Sequence, residues 1–169
     1  RFCIDYRKLN AITKKDVYPL PRCEEILEAM NGTKYFSHLD LVRGYWQIRV
    51  KEEDKEKTAF SIPTGHYHFE RMRFGLTNAP ATFQRAMNTI FKGLTWVDCL
   101  VYLDDIVIFA KTLQGHNRKL HRVLTHLEEA GLKLNAKECE LLHGKSVILG
   151  QVVYEDGVTT DPEKISVLR

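Results

Sequence analysis

Three aspartates are the residues of this chain best suited to chemistry. Asp104 and Asp105 are adjacent and sit inside VYLDDIVIF, residues 101–109, between two apolar, strand-forming runs. Asp is depleted in strands and is rarely buried without a partner. A tight turn is the plain explanation, because Asp favours turns. The glycine expected in a two-residue hairpin turn is missing, however. Two negative charges placed together also repel unless a cation relieves them. Asp40, in SHLDLVRGYWQI, is a third acid near the end of an apolar strand, with Gly44 following. Two such strands side by side would gather three carboxylates at one sheet edge. Mg²⁺ is held by a few carboxylates together with substrate phosphates, and a pair of ions can activate one oxygen and stabilise another. The arrangement suits phosphoryl or nucleotidyl transfer. On these residues alone a calcium site or a structural turn stays equally open.

The elements that must position the acids are read from periodicity. RFCIDY predicts a strand, KKDVYPLP a loop, and PRCEEILEAMNG a short helix with Ile26, Leu27 and Met30 as its stripe. KYFSHLDLV predicts a buried strand, YWQIRV and TAFSIP further strands, PTGH a turn and HYHFERM its hairpin partner. NAPATFQRAMNTIFKG predicts a helix, and GHNRKLHRVLTHLEEAG an amphipathic one bearing Leu120, Val123, Leu124 and Leu127. His116, His121 and His126 are expected to face solvent. SVILGQVVY predicts a last strand, and DPEKISVLR opens a helix with Asp161 as its N-cap. The order predicts an α+β fold: helices on one face of a largely antiparallel sheet, the other face free as a working surface.

The 169 residues suit one domain or one lobe of a larger protein. The net charge of +3 is compatible with an anionic partner without naming one. Cys3, Cys23, Cys99 and Cys139 form no C-x-x-C pair and suggest neither zinc nor disulfides, which reads as a reducing, intracellular setting. No stretch is long and apolar enough to span a membrane. The chain begins and stops mid-pattern and reads as cut from a longer polypeptide.

Four motifs in order, LDLVRGYWQI, FGLTNAPATFQ, YLDD and ILGQVV, identify the chain as resembling a reverse transcriptase. The likeness is to gypsy-type long-terminal-repeat retrotransposons and runs from RFCIDYRKLN through YPLPR and KTAF to DPEKI. It implies a right-hand polymerase, with residues 1–169 as palm and partial fingers and a thumb beginning only at about 161. It implies RNA-directed DNA synthesis from deoxynucleoside triphosphates on an RNA or DNA template-primer, using two Mg²⁺ ions for which Mn²⁺ can substitute. Asp40, Asp104 and Asp105 match the family's metal ligands, and the Leu41 carbonyl matches a further metal contact. Tyr45 matches the gate that excludes a ribose 2′-hydroxyl. Phe74, Gly75, Arg1 and Lys137 match nucleotide-binding positions. Gln84, Tyr102, Leu149 and Gly150 match template and primer positions. Protease, RNase H and integrase domains in cis are implied by the family, as is a cytoplasmic virus-like particle with nuclear entry open. Without a thumb and most of the fingers, the chain alone is expected to be poorly active or inactive.

His38, Arg43, Arg71 and Arg73 depart from the family's commonest pattern. The arginines fit either nucleic-acid backbone or a solvated face. Two rival readings remain. A domesticated, inactive nucleic-acid-binding remnant is opposed by the three intact acids. A palm-fold nucleotide cyclase is opposed by FGLTNAPATFQ, whose role needs a template. The pairs His66/His68 and Cys139/His143 lack the further ligands that zinc requires.

Overall fold

The computed structural model describes residues 3–160. In chain order the elements are α1 (Arg7–Ile12), α2 (Cys23–Met30), β1 (Tyr35–Asp40), α3 (Glu52–Lys55), β2 (Phe60–Ile62), β3 (Gly65–Tyr67), α4 (Ala79–Ile90), β4 (Cys99–Tyr102), β5 (Asp105–Ala110), α5 (Leu113–Glu129), β6 (Glu140–His143), β7 (Lys145–Ile148), β8 (Gln151–Tyr154) and β9 (Gly157–Thr160). The central sheet has the order β4-β5-β1-β6 and is antiparallel throughout. β2 and β3 form a separate hairpin, and β7-β8-β9 a meander.

Strand alternation divides the apolar residues of the sheet between two cores. Leu39, Cys99, Val101, Ile106 and Ile108 face α4 and α5, meeting Phe83, Met87, Val123 and Leu127. Phe36, Leu100, Val107 and Phe109 face the other way and meet Ile26 and Met30 of α2 and Ile148 and Val153 of the meander. Full burial of each such side chain contributes about 1.5–3 kcal/mol. The α+β expectation holds, but the expected free face does not exist: α2 and the meander cover it. The end of the sheet that carries the acids stays accessible, with the Asp105 side chain 43% exposed.

Local readings differ from the structure where packing overrides pattern. Residues 3–6 form no strand, and Arg7–Ile12 is a helix instead. This helix buries nothing, so no periodicity announces it. YWQIRV is not a strand: Gly44–Gln47 is a 3₁₀ turn, and only Arg49 bridges, to Arg71. SVILGQVVY is two strands, broken at Leu149 and Gly150, whose φ values of 51° and 76° turn the chain back. His116 is buried rather than solvent-facing. Arg1 and the helix expected from Asp161 lie outside the described residues.

Candidate active site

The pairing of β1 with β5 places Asp40 directly opposite Asp105. Like charges in that relation are destabilising by roughly 0.2–1 kcal/mol. β4 and β5 pair from Cys99↔Ile108 to Tyr102↔Asp105, which leaves Leu103 and Asp104 as the two turn residues. The left-handed position expected of an aspartate is taken by Leu103, at φ 53°. Gln84 makes that turn possible. It is fully buried in α4, where its Nε2 donates to the Val101 carbonyl (3.0 Å) and its Oε1 accepts from the Leu103 N–H (2.8 Å). The amide therefore satisfies a donor and an acceptor that the tight turn leaves over.

Asp104 is aimed back into the molecule. Its Oδ1 is buried and has no hydrogen-bond partner among the described residues. Burial, then the charges of Asp40 and Asp105, raise its pKa above the ordinary carboxylate value. Gly44 makes room for it: a Cβ there would stand 2.3 Å from Asp104 Oδ1 and 3.0 Å from the Phe83 ring. Asp40 is raised likewise, by burial, by Glu138 and by Asp105. Asp105 has a partner: His38 Nε2 lies 3.0 Å from its Oδ1, and that bond raises the histidine's pKa. His38, a departure from the family pattern, thus partners one of the three acids.

Glu138 was not anticipated. It is an exposed residue in an irregular loop, where no motif or period marks it. The loop is tied beside Asp40 by two hydrogen bonds. Asn135 N–H donates to the Asp40 carbonyl (2.9 Å), and Asp40 N–H donates to Cys139 Sγ (3.4 Å). The Glu138 carboxylate lies close enough to raise the Asp40 pKa. Lys137 belongs to this loop and is exposed. Leu41 follows Asp40, is buried, and bridges Leu134.

Aromatic residues line the space next to Asp104. The Tyr45 ring centre lies 5.0 Å from that of Phe74 and 5.2 Å from that of Phe83. Burial and the Asp104 charge raise the Tyr45 hydroxyl pKa. Phe74 is 45% exposed, and Gly75 after it takes φ 91°. This segment is held by Asn10, whose side chain donates to the Gly75 carbonyl (2.7 Å) and accepts from Thr77 N–H (2.9 Å). Tyr102, half-buried at the end of β4, and Leu149 both pack on the core beneath Asp105. Gly150 completes the β7–β8 turn.

The donor set fits hard divalent cations. It is all oxygen, it is mutually repelling, and one buried carboxylate oxygen lacks any other partner. Among the described residues no three His, Cys, Asp or Glu side chains are grouped so that they alone could hold a metal ion.

Residues 1–166 match the family described as reverse transcriptase (RNA-dependent DNA polymerase). The chain is 48% identical over 168 residues to the retrovirus-related Pol polyprotein from transposon 297 of Drosophila melanogaster, covering 99% of this chain and 16% of that protein. Identity to the corresponding polyprotein from transposon gypsy of the same organism is 38% over 169 residues, covering 100% of this chain and again 16% of that protein. The chain thus spans about a sixth of the length of these relatives. Among solved structures, the foamy viral protease-reverse transcriptase dRH in complex with double-stranded DNA superposes with a TM-score of 0.88 at 26% identity, over 100% of this chain and 30% of that one. The same viral enzyme in complex with an RNA/DNA hybrid gives 0.85 at 26% identity, over 98% of this chain and 22% of that one.

Proposed function

Because the chain belongs to the reverse transcriptase (RNA-dependent DNA polymerase) family, we propose that it is the palm, with part of the fingers, of an RNA-directed DNA polymerase. The proposed substrates are deoxynucleoside triphosphates and an RNA or DNA template-primer. The observation that carries this reading is the buried, unpartnered Oδ1 of Asp104 beside two further carboxylates. A folded chain keeps such an oxygen unpaired only at a cost, and a cation at that point removes the cost.

Asp40, Asp104 and Asp105 would hold two Mg²⁺ ions, with the Leu41 carbonyl beside them. Bound there, the ions supply activation of the primer 3′-hydroxyl and neutralisation of charge developing on the triphosphate. The chain's own residues do the rest. Gln84 fixes the turn that aims Asp104. His38 orients the Asp105 carboxylate through Oδ1 and leaves Oδ2 free. Tyr45, braced by Phe74 and Phe83, is the proposed block to a ribose 2′-hydroxyl. Lys137, exposed on the loop fastened to Asp40, is the proposed contact for a leaving pyrophosphate. Leu149, Gly150 and Tyr102 are the proposed primer and template side, which the buried Gln84 buttresses through the turn. Further domains in cis would accompany this one, as the polyprotein relatives' names suggest.

The test is primer extension. Protein from the full reading frame that carries this chain should add deoxynucleotides to a DNA primer on an RNA template with Mg²⁺, and should reject ribonucleotides. Absence of incorporation with either Mg²⁺ or Mn²⁺ would sink the reading.

A further inference from the structure

Arg43 and Arg73 are cations that this mechanism leaves unused, and both stack on Trp46. The guanidinium carbon of Arg43 lies 4.7 Å from the centre of a Trp46 ring, and that of Arg73 4.3 Å. Arg73 also lies 4.3 Å from the ring centre of Phe69. Stacking fixes a guanidinium plane while leaving its N–H edge available. Neighbouring arginines spend that edge on the protein. Arg71 donates to the Gln47 carbonyl (2.7 Å), Arg85 to Asp16 (2.6 Å), and Arg122 pairs with Asp98. Arg43 and Arg73 do neither: no side-chain hydrogen bond or acidic partner exists for either guanidinium among the described residues. Trp46 Nε1 adds a third donor, buried and equally without an acceptor.

The position of this group matters. Trp46 sits in the 3₁₀ turn Gly44–Gln47, whose first residue abuts Asp104 and whose second is Tyr45. Its ring centre is 6.2 Å from that of Phe74. Arg43 takes left-handed backbone at φ 51°, a strained state for a residue with a Cβ. The same short turn therefore sets the Asp104 carboxylate against Gly44 and two unspent guanidinium groups against Trp46. Two cations on one indole repel each other unless an anion joins them.

We propose that Arg43 and Arg73, stacked on Trp46, bind the phosphate tail of the incoming nucleotide, an assignment that rests on the nucleotidyl-transfer reading. Tail oxygens turned from the aspartates need N–H donors, and the arginine fork matches phosphate geometry. The Trp46 stack supplies the rigidity, holding both forks in place before the nucleotide arrives.

The chain has two tryptophans, so in a Trp96→Phe background Trp46 fluorescence reports on the site directly. Inorganic tripolyphosphate should shift that emission saturably. Arg43→Gln and Arg73→Gln should each weaken the tripolyphosphate affinity about tenfold, as loss of a charge-assisted contact does. Lysine at either position should recover part of the loss, keeping the charge without the fork. A single-stranded oligonucleotide should respond within about twofold, since strand phosphates are not the ligand. In primer extension the same variants should raise KM for the deoxynucleotide about tenfold and leave kcat within about twofold. A merely structural role would lower stability and kcat together, with no rescue by lysine. Unchanged tripolyphosphate affinity in the double glutamine variant overturns the assignment, as does a loss confined to the oligonucleotide. If primer extension proceeds with KM unchanged, the clamp is wrong and the polymerase reading stands. If tripolyphosphate binding depends on the two arginines in protein that extends no primer, the clamp stands and the polymerase reading falls.

Discussion

Ser37 and Asp40 lie three residues apart on β1, and the polar groups around them are treated in opposite ways. Ser37 Oγ is buried between Leu142 N–H (2.9 Å) and His116 Nε2 (2.9 Å), which ties β6, β1 and α5 into one bonded unit. Around Asp40 the chain crowds Asp105, Asp104 and Glu138 and leaves a carboxylate oxygen unpaired. One end of the strand is organised for stability; the other holds repulsion that only a ligand can remove. Paired polar groups inside a protein are neutral or helpful, whereas unpaired ones cost about 1–3 kcal/mol each. His116 Nδ1 is buried without a partner as well, so what marks the Asp40 end for binding is its crowd of like charges rather than the unpaired oxygen alone.

The largest test of the contrast is Asp104→Asn. Primer extension should fall roughly a thousandfold, the scale for groups that stabilise developing charge. Stability should move the other way. A carboxyl whose folded pKa is raised disfavours folding once ionised, so stability is lost as pH rises from the ordinary carboxylate value through the folded one. At pH 7 without divalent cation, the asparagine variant should melt at the same temperature as the native protein or higher. Adding Mg²⁺ should raise the native Tm and leave the variant's nearly unmoved. A variant that melts well below the native protein without metal would show that Asp104 is an ordinary structural turn residue.

A smaller effect is expected where the two regimes meet. Gln84→Leu removes the amide that closes the 101–103 turn and leaves the Leu103 N–H and the Val101 carbonyl without it. The expected cost is about 2–3 kcal/mol in denaturant unfolding, with activity reduced beyond what the unfolded fraction explains. Gln84→Glu separates the two roles: its carboxylate still accepts from Leu103 N–H but cannot donate to Val101. A stability unchanged in both variants would detach Gln84 from the turn.

Much of this was legible in the residues, and the gaps have physical reasons. The acids of β1 and the β4–β5 hairpin stood out because charge interrupts strongly apolar strands. Helices α2, α4 and α5 showed their 3.6-residue period. Leu103 was not foreseen as the strained turn residue, since its backbone is imposed by Gln84, 19 residues earlier in sequence. The burial of Gln84 was not legible either, because burial of a polar residue leaves no periodic trace. The alternation of YWQIRV imitates a strand, yet the close approach of Gly44 to Asp104 curls it into a 3₁₀ turn. Glu138 carries no signal at all: its place beside Asp40 depends on backbone bonds between Asn135 and β1.

The finest test concerns the stable end of the strand. His116 is fully buried, and burial together with the nearby Lys119 charge lowers its pKa below the ordinary 6.5. The native state therefore keeps the ring neutral while the unfolded chain takes up a proton. Stability contributed here is complete above pH 6.5 and is lost as pH falls from there toward the folded pKa. The loss can be no steeper than about 1.36 kcal/mol per pH unit. His38 acts with the opposite sign, since its pKa is raised and its contribution fades as pH rises. Comparison with His116→Gln cancels it, because glutamine still bonds the Ser37 hydroxyl and does not titrate. Unfolding free energies measured from pH 8 to pH 5 without metal should fall less steeply for the variant, the two curves parting only below about pH 6.5. Curves that part above pH 6.5 instead, with the native protein losing stability as pH rises, would mean that the ring is protonated in the fold, with Ser37 Oγ as its acceptor. The polar bridge would then be a charged one, and the two ends of β1 would differ less than their geometry says.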